Sequence, residues 1–308
     1  AYADLVNPKA NANDPGNRGT LTDWWTHNGF SNTGGDGGLQ GNEYARTSFM
    51  NNNDLGSGRD MHFLRRGDGT VSGVEIAGTE RIETDAVVCN IDLPVAYRTV
   101  LGGLERPRAA RRGKFSPSCL LWVAGVRGRP PADAAHHNIH FGQQWDEAFK
   151  ALIGRGVRMP DPSILVSLHS LDDPALAPDG CSTLYALEPV PNLDGRLDWS
   201  QVRERFADDL RSRVASLGYP TDVVTERVYD PLDWQAMGME RGTPFGLAHT
   251  FFQTGPFRPN NVDRRVPGLA FTGSSTLPGV GVPMVLVSGK LAAERIDAYA
   301  AETAILRW

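Results

Sequence analysis

Residues Thr272 to Arg295 read TGSSTLPGVGVPMVLVSGKLAAER, a glycine-rich turn that runs into an apolar stretch of good helix formers. Just before it, Leu269, Ala270, Phe271 and Thr272 make a short buried strand that ends at Gly273. After it, Pro283 has the fixed φ favoured at the start of a helix, and Val285 to Ala300 continue as helix. Strand, glycine turn and helix N-terminus together form a seat for an anion or a dinucleotide. Unpaired amides and the positive end of the helix dipole face the turn, and Gly279 and Gly281 hold no side chain against a ligand. One such dipole contact contributes ~0.3–1 kcal/mol, so the turn assists binding without carrying it. On these residues alone a packing role for the glycines is the commoner reading.

Working outward, MHFLRR, VSGVEI and RIETD, separated by RGDGT and AGTE, read as a short antiparallel meander from Met61. DAVVCNIDLP follows with a β-branched run at Val87 and Val88 that ends before Pro94. Further strands are expected at Cys119–Val126, Asn138–Phe141, Ile164–His169, Thr183–Pro189 and Val223–Tyr229. WDEAFKALI predicts a helix with Trp145, Phe149, Leu152 and Ile153 on one face. DWSQVRERFADDLRSRVASLG predicts a second, with Val202, Phe206, Leu210 and Val214 at four-residue intervals, Asp198 as cap and Gly218 as stop. The fold class is α/β or α+β with a mixed sheet, and the chain from Met61 onward reads as one continuous unit.

Residues 1–60 differ: Asn and Gly supply about a third of them, without apolar periodicity, and an irregular or poorly ordered segment is expected. Gly35, Gly37 and Gly41 have a GxGxxxG spacing, but neither a buried strand before nor a clear helix after them supports a phosphate loop. The 308 residues suffice for one large core or two ordinary ones, and 40% hydrophobic content is that of a soluble globular protein. Three scattered cysteines, Cys89, Cys119 and Cys181, form neither a disulfide framework nor a CxxC pair, which favours a reducing, cytoplasmic setting. A net charge of −5 argues against nucleic acid. No apolar run approaches the roughly 20 residues that span a bilayer. AYADLVNPKA lacks both a signal-sequence pattern and an initiator Met, so it need not be the natural start.

Three other constellations carry possible chemistry. In AAHHNIHF, His136 and His140 share a face of a strand while His137 faces the other way; no nearby acid or cysteine completes a metal set, and surface or core histidines are expected. A serine hydrolase elbow at Gly273-Ser274-Ser275 with His249 as base lacks the second glycine of that motif. RPRAARRGK concentrates Arg106, Arg108, Arg111, Arg112 and Lys114 on an acidic chain. Such a run is either solvated surface or a peripheral membrane contact worth ~1 kcal/mol per residue at an anionic bilayer.

Six stretches, taken in order, resemble the bacterial phytoene desaturase family of FAD-dependent oxidoreductases. They are DAVVCNIDLPVAYRTVL, KFSPSCLLWVAGVRG, HHNIHFGQQWDEAF, MPDPSILVSLHSLDDPALAPDGCSTLYALEPVPNLDG, FRPNNVDRRVPGLAFTG and PGVGVPMVLVSGKLAAERI, and they cover about 240 residues. The resemblance implies that the glycine turn is the C-terminal part of an FAD site, with Gly273, Ser274, Thr276, Gly279, Gly281, Val282, Pro283 and Met284 as flavin contacts. Ser275 stands where the family usually has glycine, and Leu277 where it usually has histidine. The family's N-terminal Rossmann βαβ unit with its GxGxxG turn has no counterpart here. The resemblance therefore covers a C-terminal half and implies a complementary N-terminal FAD-binding half as partner. On this reading residues 1–60 are the irregular segment, 61–268 mainly a substrate-binding domain with a mixed sheet, and 269–308 the FAD-contacting strand, turn and helix of a Rossmann-like domain. The implied reaction is desaturation of an apolar polyene such as phytoene, with hydride passing to the flavin. Cys119–Val126 and Ile164–Leu168 are candidate walls for that substrate, and membrane contact through the basic run fits its solubility. The rival reading is a non-catalytic carotenoid- or lipid-binding module that kept the fold.

Overall fold

The computed structural model describes residues 61–76 and 80–305; the irregular segment expected over 1–60, with its spaced glycines, lies outside the described residues. The strands are β1 (Met61–Arg65), β2 (Val71–Ile76), β3 (Glu80–Glu83), β4 (Val87–Cys89), β5 (Ser118–Arg127), β6 (His137–His140), β7 (Ile164–Ser167), β8 (Cys181–Val190), β9 (Asp222–Tyr229) and β10 (Leu269–Phe271). The helices are α1 (Leu93–Thr99), α2 (Arg108–Arg112), α3 (Trp145–Phe149), α4 (His169–Asp172), α5 (Trp199–Ser216), α6 (Pro231–Ala236) and α7 (Val282–Ile305). No helix among the described residues is long and apolar enough to cross a membrane.

The chain divides into two units, one ending at Gly113 and resuming at His249, the other running from Lys114 to Ala248. This differs from the single continuous unit expected from Met61 and from a boundary at residue 268. The reason is a long-range pairing: β4 and β10 run parallel, Val87 opposite Leu269 and Phe271 opposite Cys89. Residues 61–113 therefore fold with the C-terminal strand, turn and helix, and 114–248 form an insertion between them.

In the discontinuous unit β1, β2 and β3 form the antiparallel meander. The Arg66–Thr70 turn closes it, with the Arg66 amide donating to the Thr70 carbonyl. Val71, Val74, Val87, Leu93, Ala96 and Leu269 form its core, and the Tyr97 ring stacks on Phe271 at 5.4 Å between centroids. α7 packs on β10 through Ala292 and Ile296 against Ala86 and Ala270.

In the inserted unit, five strands lie in the order β6-β7-β8-β5-β9, all neighbours antiparallel. Parallel and antiparallel pairing thus both occur in the chain, in separate sheets. β8 alternates half-buried and buried residues along its length, the period of a strand. α5 begins where predicted, with the Asp198 carboxylate accepting from the Ser200 amide, and buries Trp199, Phe206, Leu210 and Val214 against the sheet. Arg158 stacks over Phe206 at 4.2 Å and pairs with buried Glu188 at 2.7 Å.

The WDEAFKALI stretch is helical, but of its apolar stripe only Leu152 is buried. α3 passes into a π-helix over Lys150–Arg155, and Trp145, Phe149 and Ile153 are exposed while Ala148, Ala151 and Leu152 are buried. Ala148 and Leu152 pack with Met159 in a small buried cluster, which leaves Trp145, Phe149 and Ile153 outside it.

Candidate functional site

β4 and β10 end side by side, and the chain leaves both at the same end, the place where open parallel sheets present a ligand crevice. From β4 come Asn90 and Asp92; from β10 comes the glycine turn. What shapes the turn is the segment Phe257–Asn261, which carries two buried polar side chains, Arg258 and Asn261. Arg258 Nε donates to the Thr276 carbonyl at 3.0 Å, Nη1 to the Gln253 carbonyl at 3.1 Å, and Nη2 to the Ser274 carbonyl. Asn261 Nδ2 donates to the carbonyls of Phe271 at 3.1 Å and Leu277 at 3.0 Å. Ser288 of α7 completes the hub: its hydroxyl accepts from the Gly273 amide at 3.2 Å and meets Thr276 Oγ1 at 3.1 Å. The carbonyls of the turn are thus held from the protein side.

The other side of the turn is open. α7 makes its first ladder bond from the Val285 amide to the Gly281 carbonyl, at 2.9 Å. The amides of Val282 and Met284, in the first turn, have no acceptor within the helix, and the positive end of its dipole lies there. A Cβ built on Gly281 would meet nothing within 4 Å, and one on Gly273 only Asn90 Oδ1 at 3.5 Å. This backbone cradle, open and rich in donors, fits the phosphate or ribityl side of a flavin.

The expected contacts divide accordingly. Gly281, Val282, Pro283 and Met284 are exposed at the mouth, and Gly273 and Ser274 are half-buried beside it. Gly279 and Thr276 belong to the interior. A Cβ on Gly279 would lie 2.3 Å from His249 Nε2, so that glycine makes room for a histidine, and the Thr276 hydroxyl donates inward to the Gly273 carbonyl at 3.0 Å.

Burial lowers the Arg258 pKa to about 10, with Asp92 opposing, so the group remains a cation at neutral pH behind the turn. Burial, then the Arg258 charge, lowers the His249 pKa as well; the neutral ring accepts from the Val280 amide at 3.4 Å. Ser275 Oγ donates to Asp92 Oδ1 at 2.6 Å. With Ser275 on Asp92 and His249 on Val280, the hydrolase arrangement is not assembled.

The three clustered histidines hydrogen-bond to separate partners: His136 to Asp172 at 2.5 Å, His137 to Ser167 at 2.7 Å and His140 to Tyr219 at 2.9 Å. Among the described residues no three metal-ligating side chains are grouped to hold an ion. Of the candidate wall strands, Leu120, Trp122, Ala124 and Val126 of β5, with Ile164 and Val166 of β7, are buried in the core beneath α5. That face cannot line a substrate channel. The basic run also divides: Arg106, Arg108 and Arg111 line a cavity, Arg112 does not, and Lys114 begins the inserted unit.

Sequence reasoning passed over Arg258, Asn261, Asp92 and Ser288. The one available signal was FRPNN, where an arginine sits between an aromatic and a proline shortly before an apolar strand.

Comparison with known proteins gives this geometry a family. The model of flavin containing amine oxidoreductases matches residues 23–297. Phytoene dehydrogenase of Streptomyces griseus is 41% identical over 245 residues, which is 78% of this chain and 47% of that protein. The zeta-carotene-forming phytoene desaturase of Myxococcus xanthus is 38% identical over 242 residues, 75% of this chain and 46% of that protein. The chain therefore spans about half the length of these curated relatives. Among solved structures, an oxidoreductase from Methanosarcina mazei shares the fold at a TM-score of 0.52 and 13% identity, over 77% of this chain and 49% of that one. The chain belongs to the family of flavin containing amine oxidoreductases.

Proposed function

We propose that this chain is the flavin-contacting and substrate-domain half of an FAD-dependent carotenoid desaturase, acting on a polyene such as phytoene. The observation that carries the reading is the glycine turn, whose carbonyls are held by Arg258 and Asn261 while the mouth at Gly281 to Met284 stays open. The named activities of the relatives supply the substrate class.

A bound flavin would supply the hydride acceptor. The chain's own residues hold and orient it. The Val282 and Met284 amides would face its anionic side, Gly281 would admit close backbone approach, and Arg258 places a fixed positive charge behind the turn. Ser275 and Asp92 lock the two strand ends together. We assign no residue to proton removal.

A dinucleotide-binding βαβ half is proposed to complete the site. Among the described residues β4 pairs with no strand but β10, so its outer edge is available to another strand. Val282 and Leu286 of α7 are 74% and 66% exposed, an apolar surface that such a half would cover.

The test is purification from cells that supply FAD, anaerobic addition of phytoene to one portion of the native protein, and denaturation of another. Flavin released on denaturation, together with bleaching of the bound flavin by phytoene in the native portion, supports the proposal. Colourless protein that still takes up carotenoid supports the non-catalytic module instead.

A further inference from the structure

A cavity of about 400 Å³ opens in the discontinuous unit among α1, α2 and the residues 259–265. Its lining is unusual for a chain of net charge −5, since five arginines face it against two carboxylates, Glu105 and Asp263. None of the turn and helix residues 272–284 lines it, so it is separate from the proposed flavin seat.

Both carboxylates are already engaged. Asp263, 8% exposed, accepts from Arg265 Nε at 2.8 Å and Nη2 at 2.5 Å, and from the Tyr97 hydroxyl at 2.6 Å. Burial raises its pKa, but the Arg265 and Tyr97 bonds outweigh that and hold it below the usual carboxylate range. Glu105 pairs with Arg111 at 3.2 Å, while its carbonyl accepts from Arg265 at 2.7 Å. Arg265 and Arg111 are therefore fixed as wall. Arg106, Arg108 and Arg264 are exposed on the rim, and among the described residues no carboxylate lies within ion-pairing distance of them.

We propose that this cavity is a binding site for a phosphate-bearing ligand, held by Arg106, Arg108 and Arg264. Three arginines lining one concave space match the charge and the several acceptor oxygens of a phosphate monoester or diphosphate better than a lone carboxylate. The floor, where Leu93 and Phe271 lie, is apolar and suits a ligand with a carbon body behind its phosphate. An anionic phospholipid headgroup and a soluble diphosphate share this chemistry.

The test titrates the full chain with inorganic pyrophosphate by calorimetry, and with vesicles of phosphatidylcholine alone or with added phosphatidic acid by co-sedimentation. The probes are applied to wild type, to the triple variant Arg106→Gln, Arg108→Gln, Arg264→Gln, and to Arg112→Gln outside the cavity. Saturable pyrophosphate binding, weakened ~10-fold or more in the triple variant and unchanged in Arg112→Gln, supports a soluble ligand. Sedimentation that requires phosphatidic acid, is lost in the triple variant and is competed by pyrophosphate supports a headgroup. Absence of binding to either probe, a triple variant that binds like wild type, or an equal loss in Arg112→Gln overturns the proposal. Should the triple variant not fold, Arg264→Gln alone decides: ~3-fold or greater weakening supports the site, and unchanged binding overturns it. Flavin content is independent of all these outcomes.

Discussion

Replacing Arg258 with Met keeps the bulk of the side chain and removes every donor that it offers. Three carbonyls, of Gln253, Ser274 and Thr276, lose a charged partner in a site where Arg258 is 3% exposed. Hydrogen bonds to a charged group contribute about 1.5–3 kcal/mol each, or about 5–9 kcal/mol for three taken as independent. Against this stands the burial of the cation, whose pKa falls to about 10, a cost of about 3 kcal/mol. The difference, reduced because the three bonds are not additive, is a loss of about 3 kcal/mol. At about 2–4 °C per kcal/mol for a protein of this size, Tm falls by ~6–12 °C. Arg258→Lys keeps the charge but not the planar fork and recovers about half of the loss. Thermal melts followed by circular dichroism measure both variants. An Arg258→Met Tm within ~1 °C of wild type would show that the turn needs no clamp, and the argument for its shape would fail.

The two glycines of the turn separate packing from ligand approach. Gly281→Ala costs ~1–2 kcal/mol because its φ of +112° suits glycine, whereas Gly279→Ala, at a φ of +139°, costs more because its methyl would also press on His249; only the Gly281 methyl enters open space. Gly281→Ala is thus expected to lose flavin beyond its effect on Tm; equal flavin loss per degree in both variants would remove the distinction. His249 gives a pH dependence. Its folded pKa lies below its ordinary value, so the unfolded chain takes up the proton first, and its stabilisation is present above about pH 6.5 and lost as pH falls. His249→Gln retains an acceptor for the Val280 amide and does not titrate, so its Tm should fall less than that of wild type between about pH 7.5 and pH 5.5; identical slopes would exclude His249 as the source. In the inserted unit, Phe206→Ala removes a ring packed on Trp199 and Arg158, at a cost of ~3–5 kcal/mol in chemical denaturation. A cost under ~1 kcal/mol would show that the core beneath α5 is not built around that residue.

What could be read locally was read. The four-residue spacing from Val202 to Val214, the Asp198 cap and the alternation along Cys181–Val190 all produce the element that they signal. What escaped depends on distance along the chain. No local pattern shows that Val87 will lie against Leu269, so the insertion of 114–248 was not visible. The stripe of Trp145, Phe149, Leu152 and Ile153 has helical spacing, yet apolar spacing does not say which of its members a neighbour will cover, and here Leu152 alone is buried, beside Ala148 and Ala151. For the site, the glycines and the helix start were legible, while Arg258 and Asn261 carry no periodic signal because their partners are backbone carbonyls brought to them by folding.

The most direct measurement is nuclear magnetic resonance of the chain carrying isotope-labelled glycine, titrated with FAD. The account predicts that the Gly281 and Gly273 amide signals move progressively with FAD while that of Gly154, which belongs to the inserted unit, stays still. Unmoved turn glycines at saturating FAD, or shifts confined to glycines outside the turn, would contradict the claim that this backbone exists to meet a flavin.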